Sequence, residues 1–341
     1  MTATAESGPA VEPPVEKAAE PVPAAREQVP PTVERRLRPE HYEPARVPGE
    51  VLRHAGRPDT LGVGSPGKVG VLELGFEKIG GRTELVTHYQ KSPLQIMRPL
   101  RIDPARPDLP FVYLMSTGGG ILQADRLRMD LACGAGTAVH FTTQAATKVH
   151  GMEFDYATQV VNLEAGPDAY VEYLPESIIP YATSCFYQHT VITADPSATV
   201  LAAETVLAGR LARGERHGYR VFASDFELRR PDGGLVALDT VRLDPGRSGV
   251  TGPAVLAGHD IMATFFVVSP LADAATVADT LHEALADTGV LYGVSILPGD
   301  CGAWVRVLGD VSPTVTEAMR LAWDAVRRLL IGVPAPDVRK S

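Results

Sequence analysis

Cysteine is scarce in this 341-residue chain, and long apolar runs are missing. The three cysteines, Cys133, Cys185 and Cys301, are far apart, which excludes a disulfide framework and a CxxC zinc site and is typical of a reducing compartment. No segment approaches the roughly 18 consecutive apolar residues of a membrane span. The N-terminus has acidic residues and prolines where a signal peptide would have a basic region and an apolar core. We therefore expect a cytoplasmic protein with no membrane partner.

An excess of basic residues is also missing. The 32 lysines and arginines are outnumbered by 41 aspartates and glutamates, for a net charge of −9. A nucleic-acid surface needs a basic face, so we expect no nucleic-acid partner. The apolar fraction of 45% and the charged fraction of 21% are those of an ordinary globular protein.

The common catalytic motifs are absent from the sequence. There is no GxSxG nucleophile motif and no HExxH metal motif. The glycines at 118–120 are not followed by GK[ST] or by a predicted helix, so they indicate neither a P-loop nor a dinucleotide site. These absences argue against an enzyme, and we predict no catalytic residues.

The sequence divides into a tail, a folded domain and a short second tail. Residues 1–62 are rich in proline and alanine and have no apolar periodicity, which predicts a disordered tail. Residues 63–333 carry the folded pattern, and residues 334–341 form the C-terminal tail. Within the domain, alternating runs at 69–76 and 83–89 are joined by a glycine pair, which predicts a β-hairpin.

A weak internal repeat predicts stacked layers. Three similar units, GTAVHFTTQ, PDAYVEYLPE and PSATVLAAE, align through Ala138, Ala169 and Ala198. Their near-equal spacing is typical of a β-helix-like arrangement, although antiparallel meanders would give a similar pattern. Two helices are predicted near the C-terminus, over 270–288 with Ser269 as N-cap and over 313–331 with Glu317 in capping-box register. The fold class is thus all-β, a β-helix-like layered scaffold with two C-terminal α-helices.

Four acidic residues, Asp125, Glu176, Glu204 and Asp239, lie at or near the ends of predicted strands. Paired carboxylates are the chemistry of glycoside hydrolysis, so a carbohydrate-active β-helix enzyme is one alternative. The aromatic content of 6% and the missing signal peptide oppose it. Scattered carboxylates are more often solvated or salt-bridged than catalytic.

The chain resembles the UreD family of urease accessory proteins, called UreH in some bacteria, from about residue 67 to 332. The resemblance rests on blocks in the family's order. They are GKVGVLELGFEKIGGRTELV, SPLQIMRPL, STGGGILQADRLRMDL, TTQAATKVH, EYLPESIIP, ETVLAGRLARGE, VALDTVRLDP and LYGVSIL. Two positions depart from the family pattern: Ser116-Thr117 replaces a frequent proline, and Ala124 replaces the glycine usual before the aspartate.

This resemblance implies a non-catalytic scaffold for GTP-dependent nickel insertion into apo-urease. It implies binding to apo-urease and to UreF, which recruits the GTPase UreG, with no permanently bound cofactor and only transient nickel. The polar nickel path of the family is carried over to Asp125, Thr147, Glu204 and Asp239, with Lys148, Glu176, His150 and His140 as possible additional residues. Carboxylate oxygens without imidazole or thiolate clusters would hold nickel weakly, as a path requires. A third alternative is an adaptor that moves no metal.

Overall fold

The structure, a computed structural model, describes residues 36, 38–56 and 69–338. Two β-sheets face each other, and the chain passes back and forth between them in a mostly β solenoid of about four turns. Two helices near the C-terminus complete the domain, so the predicted fold class is confirmed. Within the described residues, no helix is both long and apolar enough to cross a membrane.

The first sheet has seven strands: Val69–Ile79 (β1), Arg82–Lys91 (β2), Arg126–Cys133 (β5), Ala157–Ala165 (β8), Cys185–Ala194 (β11), Val221–Arg229 (β13) and Leu235–Leu243 (β14). Their order across the sheet is β14-β13-β11-β8-β5-β1-β2. The inner five strands pair in parallel, and the hairpin of β1 and β2 closes one end while that of β13 and β14 closes the other. The hairpin predicted at Gly80 and Gly81 is confirmed.

The second sheet contains the other ten strands. They are Leu94–Ile96 (β3), Phe111–Ser116 (β4), Ala138–Thr143 (β6), Thr147–Val149 (β7), Tyr170–Tyr173 (β9), Ile178–Pro180 (β10), Thr199–Leu207 (β12), Ile261–Val268 (β15), Leu291–Ile296 (β16) and Gly302–Gly309 (β17). The main order is β16-β17-β15-β12-β9-β6-β4-β3, and β7 and β10 form a short side branch beside β12.

The three repeat units form neighbouring parallel strands, β6, β9 and β12, as a layered fold requires. The register differs by one residue from the alanine alignment: Ala138 is level with Tyr170, which is level with Thr199. Only Ala169 and Ala198 therefore occupy equivalent positions. The alanines are 31 and then 29 residues apart in sequence. This spacing does not reveal the one-residue offset, because the connecting turns differ in length.

Four α-helices are described: Pro39–Tyr42 (α1), Gly49–Leu52 (α2), Ala274–Leu285 (α3) and Ser312–Ile331 (α4). Helix α3 begins later than predicted, because Asp273 rather than Ser269 is its N-cap; Asp273 Oδ1 accepts the Thr276 N–H at 2.8 Å. The predicted capping box of α4 is wrong. Glu317 binds Arg320 instead, and the N-cap is Val311.

Both predicted tails contribute packed residues. Val51 in α2 is fully buried and belongs to the larger hydrophobic core. Arg53 forms an ion pair with Asp244. At the other end, the Ala335 N–H donates to Asp324 Oδ1 at 2.8 Å. The expectation of an unpacked tail therefore does not hold for residues 38–56, because an apolar anchor occurs within that proline-rich sequence. Residues 1–35, 37 and 57–62 of the predicted tail lie outside the described residues.

Helix α4 packs on the outer face of the second sheet over a buried group of charges. Arg327 is fully buried, and its Nη2 lies 2.7 Å from Asp103 Oδ2 while its Nε lies 3.4 Å from Glu172 Oε1. Glu172 also accepts the Tyr170 hydroxyl at 2.7 Å and lies 2.6 Å from His140 Nδ1. Burial acts to raise the pKa of Glu172, but His140, Arg327 and Tyr170 outweigh it and hold that pKa below its usual value.

Replacing Arg327 tests how much α4 depends on this group. Arg327→Ala leaves two carboxylates buried without their cation, so we expect a loss of about 3–5 kcal/mol in the free energy of unfolding, measured in urea. The matched control is Arg320→Ala in the same helix, because Arg320 pairs with Glu317 at the surface and should cost less than about 1 kcal/mol. Equal losses in the two variants would contradict this account.

Candidate functional site

A cavity of about 190 Å³ lies between the two sheets, beside the glycine loop at 118–120. Its walls include Gln159 and Gln188 from the first sheet and Tyr173 from the second. Four of the residues predicted from the sequence also line it: Thr147, Lys148, Glu176 and Glu204. The fold thus brings together side chains that are up to 57 positions apart in sequence (204 − 147). The side-chain oxygens of Thr147, Glu176 and Glu204 are hard donors of the kind that divalent cations bind.

Glu204 is held on the inner face of β12 by donors from the opposite sheet. Its Oε2 accepts the Ser224 hydroxyl at 2.9 Å and the Gln188 side-chain N–H at 2.5 Å. Gln188 is oriented in turn by Gln159, whose Nε2 donates to Gln188 Oε1 at 3.1 Å. Gln159, Gln188 and Ser224 lie level with one another on β8, β11 and β13, so the parallel pairing of these strands places all three side chains.

The surroundings of Glu204 raise the pKa of its carboxyl group. Burial and the nearby Asp239 carboxylate raise the pKa of Glu204 to about 7, although hydrogen bonds from Ser224 and Gln188 and the Arg306 charge act in the opposite direction. Near neutral pH this group therefore exists in both its neutral and its ionised form.

A row of polar residues leads from the cavity towards Asp239. Glu204 is level with Thr264 on β15, and Thr264 is level with Arg306 on β17. We call Glu204, Thr264 and Arg306 the polar row. Arg306 Nη2 donates to both carboxylate oxygens of Asp239, each at 2.7 Å. Asp239 thus lies at the far end of the row and outside the cavity lining.

Asp125 is buried at a tight corner and is not among the residues that line the cavity. Its Oδ2 accepts the Leu122 N–H at 2.8 Å, and its own N–H donates to the Leu122 carbonyl at 3.1 Å. The preceding Ala124 has φ of 61°, the left-handed region in which a Cβ is strained. Ala124, which stands where the UreD family usually has glycine, adopts this conformation although it carries a Cβ. The visible contribution of Asp125 is to hold the turn beside the glycine loop.

His150 and His140 lie outside the cavity's donor set. His150 packs against Gly120, where an added Cβ would lie 2.7 Å from His150 Nε2 and 2.6 Å from the Lys148 carbonyl. Gly120 also has φ of 151°, so this close approach requires glycine. His140 lies on the opposite face of the second sheet, in the buried group with Glu172.

Sequence reasoning missed Gln188, Ser224, Thr264 and Arg306. Each lies in an alternating or continuously apolar strand, where a single polar residue at an inward position is a signal. That signal becomes readable only when the strand register is known, because register decides which polar side chains share one level.

A second group of possible metal donors lies on the outer face of the first sheet. His41 Nε2 is 3.6 Å from Glu73 Oε1 and 4.0 Å from Asp130 Oδ2. Both carboxylates are already bound to arginines: Glu73 by Arg36 at 2.7 and 2.6 Å, and Asp130 by Arg128 at 2.7 Å. The arginine charges make this group an ion-pair contact between the N-terminal segment and the sheet.

The raised pKa of Glu204 predicts a pH-dependent stability difference. The folded-state pKa lies above the ordinary value of 4.5, so ionising Glu204 destabilises the fold progressively from pH 4.5 to about 7 and by a constant amount above. At 1.4 kcal/mol per pKa unit, Glu204→Gln should raise the free energy of unfolding at pH 8 by up to about 3 kcal/mol. The gain should shrink towards zero near pH 4.5, as urea titrations at several pH values would show.

Glu227 provides a control of opposite sign for that measurement. Burial acts to raise the pKa of Glu227, but hydrogen bonds from Arg229 and His189 and their charges outweigh it and lower that pKa. Glu227→Gln should therefore destabilise the protein at pH 8, and this loss should shrink as pH falls through the folded-state pKa. A stability gain in Glu204→Gln that is the same at every pH would contradict the assignment.

Comparison with known proteins identifies the relatives of this chain. The family model described as UreD urease accessory protein matches residues 68–341. A protein named urease accessory protein UreD 2 from Streptomyces griseus is 59% identical over 288 residues, covering 84% of this chain and 98% of the relative. Urease accessory protein UreD from Haloarcula marismortui is 38% identical over 278 residues, covering 82% and 92%. The UreD of Cenarchaeum symbiosum is 33% identical over 281 residues, covering 82% and 99%. The chain therefore belongs to the UreD family of urease accessory proteins, non-catalytic chaperones of urease maturation.

Proposed function

We propose that this UreD protein passes nickel to apo-urease through the cavity and the polar row. In this proposal it binds apo-urease and UreF in the cytoplasm, and UreF brings the GTPase UreG, whose GTP-dependent cycle drives insertion. Nickel is cargo and is never held permanently. The observation that carries the proposal is the clustering of Thr147, Glu176 and Glu204 around one cavity between the sheets.

The donor chemistry of the cavity supports transient rather than tight binding. Its acidic groups are the carboxylates of Glu176 and Glu204, and hydroxyl and amide groups and the Lys148 ammonium make up the rest of the polar side-chain lining. Nickel held by a few oxygens without imidazole or thiolate exchanges easily. Glu204 adds a group that gives up its proton as a cation arrives, because its pKa of about 7 keeps both forms available.

The predicted path residues have different parts in this proposal. Thr147, Glu176 and Glu204 are the donors at the cavity, and Lys148 lies at its rim as a charge that the cation must pass. Asp239 marks the far end of the polar row, where Arg306 binds it. Asp125 supports the path indirectly through the turn at the glycine loop, and His150 supports it by packing on Gly120.

A carbohydrate-active enzyme is not supported as the alternative. Family membership identifies a non-catalytic chaperone. The contacts agree, since both Asp239 oxygens are bound by Arg306 and Asp125 accepts a backbone N–H within its own turn, which are the contacts of structural carboxylates.

The test is co-expression of the tagged full chain with UreF, UreG and apo-urease, followed by pull-down and nickel analysis of the purified urease. Glu204→Ala should leave the complex intact and lower the nickel content and activity of urease severalfold, because the central carboxylate of the path is gone. Asp125→Ala and Asp239→Ala should also lower urease activation without dissolving the complex. The matched control is Glu227→Ala, which removes a carboxylate from the outer face of the first sheet.

Two outcomes would contradict different parts of this proposal. Absence of a complex with both UreF and apo-urease would overturn the scaffold role. An intact complex with normally loaded urease in Glu204→Ala and in Asp239→Ala would overturn the path and leave an adaptor that moves no metal.

A further inference from the structure

A histidine and an aspartate lie side by side at one end of the second sheet, outside the cavity between the sheets. Asp260 directly precedes β15, and His217 lies in the connection between β12 and β13. Neither residue lines the cavity. The His217 N–H donates to the Ala208 carbonyl and the Ala208 N–H donates to the Asp260 carbonyl, each at 2.6 Å. The backbone therefore fixes where the two side chains start.

The His217 imidazole is buried, and only one of its ring nitrogens is hydrogen-bonded. Its side chain is 8% exposed. Nδ1 lies 3.2 Å from the Tyr219 hydroxyl, whereas Nε2 has no hydrogen-bond partner among the described residues. Nε2 lies 3.7 Å from Asp260 Oδ1, which is too long for a hydrogen bond. A buried ring nitrogen is costly to leave unpaired, and a metal ion is one of the groups that pair it.

The distance between the two side chains suits a shared ion. Ligand atoms lie about 2.0–2.2 Å from a bound transition-metal ion, so two ligand atoms on one ion are about 3–4 Å apart. The 3.7 Å between His217 Nε2 and Asp260 Oδ1 lies in that range. The Tyr219 hydroxyl can accept a hydrogen bond from Nδ1, as the outer partner of a metal-bound imidazole does.

The charge state of the pair decides which class of ion it suits. Burial lowers the pKa of His217; the Asp260 carboxylate opposes this effect and the Arg216 charge adds to it, so the imidazole is neutral at pH 7. An imidazole with a carboxylate suits borderline ions such as Ni²⁺ and Zn²⁺, whereas Mg²⁺ and Ca²⁺ prefer oxygen ligands alone.

Arg216 is the one neighbour that opposes a cation here among the described residues that contact Asp260. It also contacts Asp260 Oδ1, but its own side chain is 50% exposed. Asp260 Oδ2 has no hydrogen-bond donor within the part of the chain that the structure describes. The carboxylate therefore keeps one oxygen for a further ligand.

We propose that His217 and Asp260 form a binding site for one borderline divalent ion of the Ni²⁺ and Zn²⁺ class. Water completes the coordination on the side where the Asp260 side chain is 17% exposed. The imidazole makes this site tighter than the oxygen donors of the cavity. The site does not depend on the proposed nickel path, and it can be measured without urease.

Ni²⁺ binding to the purified full chain tests the site, by equilibrium dialysis at pH 8. The unaltered chain should bind one Ni²⁺ most tightly, and His217→Asn and Asp260→Asn should each weaken that binding at least about tenfold, because each removes a ligand. Asparagine suits position 217 because the backbone there has φ of 52°, which asparagine adopts more readily than most residues. Thermal melting verifies folding, and His217→Gln replaces His217→Asn if the latter does not fold.

His189 offers a matched control on the outer face of the first sheet. Its Nε2 lies 3.1 Å from Glu227 Oε1, and Arg229 binds the same carboxylate. This group repeats the histidine, carboxylate and arginine of the proposed site, but its imidazole is already hydrogen-bonded. His189→Asn should therefore leave the affinity for Ni²⁺ unchanged.

The outcomes separate this site from the proposed path. Unchanged Ni²⁺ affinity in folded variants of His217 and Asp260 would overturn the site, and so would an equal loss in His189→Asn. Glu204→Ala should keep the tightly bound Ni²⁺; its loss there would place the ion in the cavity and overturn the site as well. A Ni²⁺ that depends on His217 and Asp260 supports the site even if Glu204→Ala leaves urease normally loaded, in which case only the path fails.

Discussion

Polar side chains that point into the space between the two sheets must find partners there, because water reaches little of that space and an unpaired buried polar group is costly. In this solenoid the partners come from neighbouring turns at the same level. Gln159, Gln188 and Ser224 lie side by side on the first sheet. Gln188 and Ser224 donate to Glu204 of the second sheet, and Gln159 donates to Gln188. The register of the parallel strands therefore also decides which buried polar groups are hydrogen-bonded. The cavity lies beside these hydrogen-bonded side chains.

The same requirement is met differently on the outer face of the second sheet. There α4 covers the strands, so β15 is buried along its whole length. There the Arg327 guanidinium lies between the carboxylates of Glu172 and Asp103, and His140 also contacts Glu172. The inner face thus holds an acid of raised pKa beside a cavity, while the outer face holds one of lowered pKa without access. The two carboxylates are of the same residue type, so their opposite pKa shifts come from their surroundings.

Sequence patterns were sufficient for the class of fold, the first hairpin and the existence of α3 and α4, since each depends on local periodicity or turn chemistry. They were insufficient for the one-residue offset of Ala138, for Asp273 as N-cap and for the packing of Val51, which depend on contacts distant in sequence. Among the site residues, Thr147, Glu176 and Glu204 share a cavity. Their neighbours Gln188 and Arg306 could not be predicted, because strand register places them.

The two edge strands of the first sheet, β2 and β14, differ in the polarity of their exposed side chains. On β2 the exposed positions are largely polar or charged, including Glu84, His88 and Gln90. On β14, Leu235 and Leu238 are 52% and 55% exposed beside Asp239. Charged border strands discourage addition of a further strand, whereas apolar ones permit it. We therefore expect β2 to resist pairing with an edge strand of a second copy of the chain. Unwanted association between copies would start at β14.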